Sequence, residues 1–126
     1  MRSISILKSL PVFALLLSCL SMWAMNVHAS SQDEIDYLLD YVSKTDCKYE
    51  RNGTIHTGIE AVEHINKKYD YFKDDIKSTE DFIKYSATKS KMSGKFYKIH
   101  CDGEKSVKSN DWLMNELERY RKVMVK

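Results

Sequence analysis

Between Cys47 and Tyr69 the chain carries a thiol (Cys47), two histidines (His56, His64) and the carboxylate of Glu60, the densest set of reactive types it has. A cysteine and a histidine make a nucleophile when the imidazole reaches the thiolate. A histidine with a glutamate can move protons as an acid–base pair. Glu60 and His64 stand four apart on a helical pattern, with His56 just upstream, and zinc accepts such ligands when three or four close around it. Each chemistry meets a plainer expectation. Cys47 faces competition from Cys101 for a disulfide, and no helix start underlies it to lower its pKa. Helical spacing puts Glu60, Glu63, His64 and Lys67 on the face away from the apolar arc, where Glu–His and Glu–Lys pairs are ordinary surface features. No catalytic residue and no metal site is therefore assigned, and His56, His64 and Glu60 remain as candidates. No cofactor is expected either, because the chain has no phosphate loop and no Gly-x-Ser-x-Gly elbow.

The amino terminus sets the compartment in which these groups are expected to work. Arg2 and Lys8 precede an apolar run from Leu10 to Met25, and Val27-His28-Ala29 offers small residues at the positions a signal peptidase reads. Residues 1–29 are expected to be a cleaved secretory signal and 30–126 a single domain. The apolar run is shorter than the about 20 residues that span a bilayer, so no membrane span is expected after signal removal. Lipid anchoring at Cys19 is the minor alternative, and the apolar residues that follow it argue against a cut there. In the oxidising space that export implies, two cysteines are left, and Cys47 with Cys101 is the one pairing they allow.

Removal of Arg2 and Lys8 takes the 20 basic residues to 18, equal to the 18 acidic ones. Bulk charge then gives no reason to expect nucleic-acid binding. Local charge is uneven: Lys84 to Lys108 holds seven lysines against Asp102 and Glu104. That stretch is expected to be a solvated surface, with docking of an anionic partner as the alternative.

The elements that must position these residues follow from caps, periodicity and turns. Ser31 and Glu34 read as a capping box for a first helix with Ile35, Leu38, Leu39 and Val42 inward. Cys47–Arg51 alternates into Asn52-Gly53, the strongest hairpin turn signal, with a return strand over 54–56. Thr57 and Glu60 form another capping box, and Ala61, Val62, Ile65, Tyr69 and Phe72 make the apolar arc of the helix it opens. A third helix is expected from Ser78 or Thr79, with Phe82, Ile83, Ser86 and Ala87 inward. Residues 95–101 alternate as a strand, Asp102-Gly103 signals a second hairpin, and a last helix capped at Ser109 or Asn110 buries Trp112, Leu113, Leu117, Tyr120 and Met124. Glu116 falls in that apolar stripe, so either it lies at the rim or it is paired, with Arg51 the candidate partner for a buried ion pair. The order α-β-β-α-α-β-β-α implies a small α+β domain, about four helices packed on a small antiparallel sheet made of two β-hairpins.

The motif Cys47-x-Tyr49-x-Arg51-Asn52-Gly53 does not stand alone. With it come Glu60-Ala61, His64 with Lys67 and Lys68, Phe82-Ile83, Ser90 and Ser93-Gly94. The ending Tyr97, Cys101, Gly103, Ser109, Trp112-Leu113, Glu116-Leu117 and Tyr120-Arg121 completes the set. Together they resemble domain of unknown function 5329, a family of small uncharacterised exported proteins of Gram-negative bacteria. The resemblance runs from about Glu34 to Arg121 and implies a periplasmic single domain, with no catalytic residues to carry over. Phe96 departs from the proline expected before the tyrosine.

The expectation is a periplasmic, non-catalytic binding domain stapled by one disulfide, its partner a protein or a cell-envelope component. Tyr37, Tyr41, Tyr71 and Tyr85, near the stripe edges, are candidates for the contact surface. The alternatives are a small cell-envelope hydrolase using His56 or His64 with a glutamate, and an inhibitor of a lysozyme-type hydrolase.

Overall fold

The computed structural model describes residues 29–125; the bulk of the signal-like segment and Cys19 lie outside the described residues. Helix α1 (Ser31–Lys44) is capped by Ser30, whose hydroxyl accepts from the Asp33 N–H while the Asp33 carboxylate accepts from the Ser30 N–H. The capping box thus sits one residue earlier than the Ser31/Glu34 reading. Glu34 is unavailable to it because its carboxylate is drawn inward, accepting from the Thr79 hydroxyl at 2.6 Å and from Arg121. Ile35, Leu38 and Val42 are buried, each contributing about 1.5–3 kcal/mol relative to exposure.

Strands β1 (Lys48–Arg51) and β2 (Thr54–His56) pair antiparallel in the register Tyr49↔His56, Glu50↔Ile55 and Arg51↔Thr54. Two residues with positive φ join them, Asn52 at 52° and Gly53 at 79°, the geometry a two-residue hairpin of right-handed twist demands. Helix α2 (Gly58–Tyr71) follows at once, with Thr57 and Glu60 forming its capping box. Gly58 is where α2 meets the end of α1. A Cβ there would lie 2.1 Å from the Val42 carbonyl oxygen, so only glycine allows this approach.

After a 3-10 turn at Lys73–Asp75, α3 (Thr79–Ser86) starts from a Ser78 cap and buries Phe82, Ile83, Ser86 and, just past its end, Ala87. The chain then turns through residues 88–97 and lies back beside α2. Ser90 N–H donates to the Lys95 carbonyl and Tyr97 N–H to the Thr88 carbonyl. Because these residues pair locally, the next strand, β3 (Lys98–His100), is shorter than the 95–101 reading, and it pairs with β1. Strand β4 (Val107–Lys108) closes a four-stranded antiparallel sheet of order β2-β1-β3-β4. Helix α4 (Ser109–Met124) has no side-chain cap, since the Ser109 hydroxyl is turned inward onto the Tyr49 hydroxyl. Of its expected core face Leu113 and Leu117 are buried, Trp112 and Tyr120 half-buried, and Met124 exposed. The fold is the α+β domain expected, in the order α-β-β-α-α-β-β-α.

The Cys47–Cys101 disulfide links the residue before β1 to the residue after β3, with Cα atoms 4.4 Å apart. Closing a loop of 54 residues stabilises by about 4 kcal/mol in the chain-entropy model. The expected Arg51–Glu116 pair does not form. Glu116 faces α1, where it accepts from the Tyr37 hydroxyl at 2.6 Å and from Arg119, one turn along its own helix, at 2.6 and 2.8 Å. Arg51 ends β1 beside α2 and meets His64 instead.

Candidate functional site

Three segments converge beside α2 on a cleft of about 320 Å³. The end of β1 supplies Arg51 and Asn52. Helix α2 supplies His64 and Lys68, one turn apart, with Lys67, Tyr71 and Phe72. The returning loop supplies Ser90, Lys91, Met92 and Tyr97. Asn52, whose positive φ serves the turn, also ties the hairpin to this loop by accepting from the Ser93 hydroxyl at 2.6 Å.

At the back of the cleft the Arg51 guanidinium lies against the His64 imidazole, with one nitrogen in hydrogen-bond contact with Nδ1. His64 Nε2 and the Tyr97 hydroxyl are 3.1 Å apart, and Lys68 Nζ donates to that hydroxyl at 3.2 Å and to the Lys89 carbonyl at 2.7 Å. The same Arg51 nitrogen lies 3.1 Å from Nε2, so the guanidinium faces both ring nitrogens, and the Tyr97 hydroxyl sits between Nε2 and the Lys68 ammonium, from which it accepts.

Burial, with the charges of Arg51 and Lys68 acting the same way, pushes the His64 pKa down to about 4, so the ring is neutral at neutral pH. Burial also lowers the Lys68 pKa, with Arg51 and Lys91 adding to the effect. Burial raises the Tyr97 pKa, with Arg51 opposing, which keeps the phenol protonated. Among the described residues, no aspartate or glutamate lines the cleft. The arrangement brings a guanidinium, an ammonium and a hydroxyl to one space, and among the described residues that space holds no anionic group.

The residues singled out by sequence fare differently. His64 is not on a solvated face: residues 88–97 fold over it, and its ring meets Tyr97 edge-on with centroids 5.7 Å apart. Glu60 stays at the helix start, its exposed carboxylate accepting from the Thr57 N–H at 2.8 Å, and does not reach His64 as a ligand or proton partner. His56 ends β2 outside the cleft, its Nε2 shut from solvent and unpartnered among the described residues. No group of three or more His, Cys, Asp or Glu residues able to hold a metal ion occurs among the described residues. Of the four edge tyrosines, Tyr37 stacks on Tyr120 and Tyr41 packs on Trp112. Tyr71 stands at the cleft mouth, 76% exposed, and Tyr85 lies beyond Phe72.

Lys68 and Tyr97 were legible only in part. Strand-like alternation over 95–101 points Tyr97 the same way as the buried Ile99, yet nothing local says that this side chain meets α2.

A model of a family of unknown function, DUF5329, matches residues 29–121. The uncharacterized protein YfeK of Salmonella typhimurium is 38% identical over 87 residues, which cover 68% of this chain and 71% of that protein. No solved structure matches.

Proposed function

The chain belongs to the DUF5329 family of unknown function, and we propose that it is a periplasmic binding domain whose cleft takes an anionic group, a phosphate or a carboxylate. One observation carries the reading: Arg51, Lys68 and Tyr97 line a single hollow that, among the described residues, no carboxylate lines. Cations held together without counter-charge repel each other, and a bound anion removes that cost while completing charge-assisted hydrogen bonds. His64 serves as a positioning residue, since as a neutral ring it spaces Arg51 from Tyr97 without adding a third charge. The compartment rests on the signal-like residues 1–29 and on the disulfide, which persists where thiols are oxidised.

Titration of inorganic phosphate followed by the His64 ring resonances tests the site. Phosphate is expected to perturb those resonances saturably and to raise the His64 pKa above about 4, because an anion offsets the neighbouring cations. A His64 signal indifferent to phosphate, sulfate and acetate overturns the reading. Cell fractionation tests the compartment: recovery of the chain in the cytoplasm with both thiols open to alkylation would contradict export.

A further inference from the structure

The anion cleft does not end at Phe72. A second hollow, about 180 Å³, continues past it between α2, α3 and the returning loop, and the two share Lys68, Phe72 and Lys91 as a common wall. Phe72 and Tyr85 line it as a pair of rings 5.5 Å apart and inclined at 30°. Lys91 holds its ammonium 4.8 Å from the Phe72 centroid and Lys84 holds its own 5.3 Å from that of Tyr85. With their charges turned to ring faces, these lysines present methylene stems to the hollow. At the mouth, Tyr71 and Met92 are 76% and 99% exposed, large apolar surface left in water beside a polar site.

A cleft with donors gathered at one end and ring carbon and lysine stems along the other is shaped for a molecule with the same asymmetry. Resting on the anion-binding reading, we propose that the occupant is an amphiphilic anion. Its charged head meets Arg51, Lys68 and Tyr97, and its hydrocarbon body runs past Phe72 to Tyr85. The joined hollows fall within the range of small-molecule sites. A long polyanion fits less well, because the chain from residue 30 onward has equal numbers of acidic and basic residues and offers no long-range attraction. A bilayer surface fits less well too, because the donors lie at the back of a concavity and not on a protruding face.

Calorimetry on the oxidised protein with decyl phosphate, inorganic phosphate, decanol and tripolyphosphate separates head from body. Decyl phosphate, kept below its micelle concentration, is expected to bind at least tenfold more tightly than inorganic phosphate, and decanol more weakly than either. Tyr85→Ser should erase the advantage of the alkyl chain while leaving inorganic phosphate binding in place. Tyr71→Ser, on an exposed side chain, should reduce that advantage even if Tyr85→Ser fails to fold. Equal affinity for decyl and inorganic phosphate overturns the inference and leaves the anion site standing. A clear preference for tripolyphosphate, or decyl phosphate bound only within phosphatidylcholine vesicles, also overturns it. Failure of every phosphate to bind overturns both readings.

Discussion

Two charged regions of this molecule are built on opposite terms. Along α1 and α4, each buried carboxylate is matched. Glu34 takes Arg121 and the Thr79 hydroxyl, Glu80 shares the same guanidinium at 2.9 Å, and Glu116 takes Arg119 and Tyr37. Beside α2, Arg51, Lys68 and Lys91 line one hollow with no carboxylate in its wall among the described residues. The first region lowers the pKa of its carboxylates and raises those of its arginines, as satisfied pairs do. The second lowers the pKa of its own lysine and histidine, as crowded and buried like charges do. A fold that pairs charge so fully in one place and leaves it open in another fits the proposal that the open region is where a ligand binds.

Breaking the matched region should have the largest effect on stability. Arg121→Ala leaves the Glu34 carboxylate buried with the Thr79 hydroxyl alone. Because Arg121 is 40% exposed, the cost falls below that of a fully buried pair, to about 2 kcal/mol. Urea unfolding measures it, and phosphate affinity should not change. Breaking the open region should do the reverse. Lys68→Met keeps the stem but removes the charge and the hydrogen bonds to the Lys89 carbonyl and Tyr97 hydroxyl, so stability should fall by about 1 kcal/mol, less than for Arg121→Ala, while phosphate affinity falls about tenfold, the weight of one charge-assisted hydrogen bond. A Lys68→Met protein that unfolds early yet binds phosphate normally would reverse the assignment of the two regions.

The contrast is sharpest in its pH dependence. Glu34 and Glu116 have folded pKa values below the ordinary 4.5, so their contribution is complete above 4.5 and is lost as pH falls through the folded values. His64 acts in a higher window. Its pKa is about 4 in the fold against 6.5 unfolded, so between those values the unfolded chain holds a proton that the fold refuses. Stability therefore declines from pH 6.5 toward 4 on its account. His64→Asn should flatten that segment of the urea-midpoint profile and leave the fall below pH 4.5 intact. Saturating phosphate should also flatten it in the native protein.

Sequence disclosed what is local. The Asn52-Gly53 turn needs positive φ, Thr57/Glu60 and Ser78 are caps within one helical turn, and the two cysteines allow a single pairing. It misplaced what depends on distant packing. Helical spacing assigned His64 to the side of α2 opposite the apolar arc, which is correct for an isolated helix. It cannot register that residues 88–97 return to cover that side with Tyr97. The partner of Glu116 was sought on another strand because burial in an apolar stripe suggested a distant cation. Arg119, three residues on, was sufficient, since its long side chain reaches back around the helix. The lysines from Lys84 to Lys108 are exposed, as expected of a solvated surface, and the fold adds only that Lys91 and Lys84 lie over the rings of Phe72 and Tyr85.

The disulfide has a mechanical meaning for this layout. Every side chain of the cleft, from Arg51 to Tyr97, lies between Cys47 and Cys101 in the chain, so the cleft sits inside a covalent ring. Tension applied to the two ends of the oxidised chain passes from Cys47 to Cys101 directly through sulfur and bypasses the ring. Under load, α1 and α4 can be peeled away while the segments that hold Arg51, Lys68 and Tyr97 carry no force along their backbone. Reduction would send the same pull straight through the cleft.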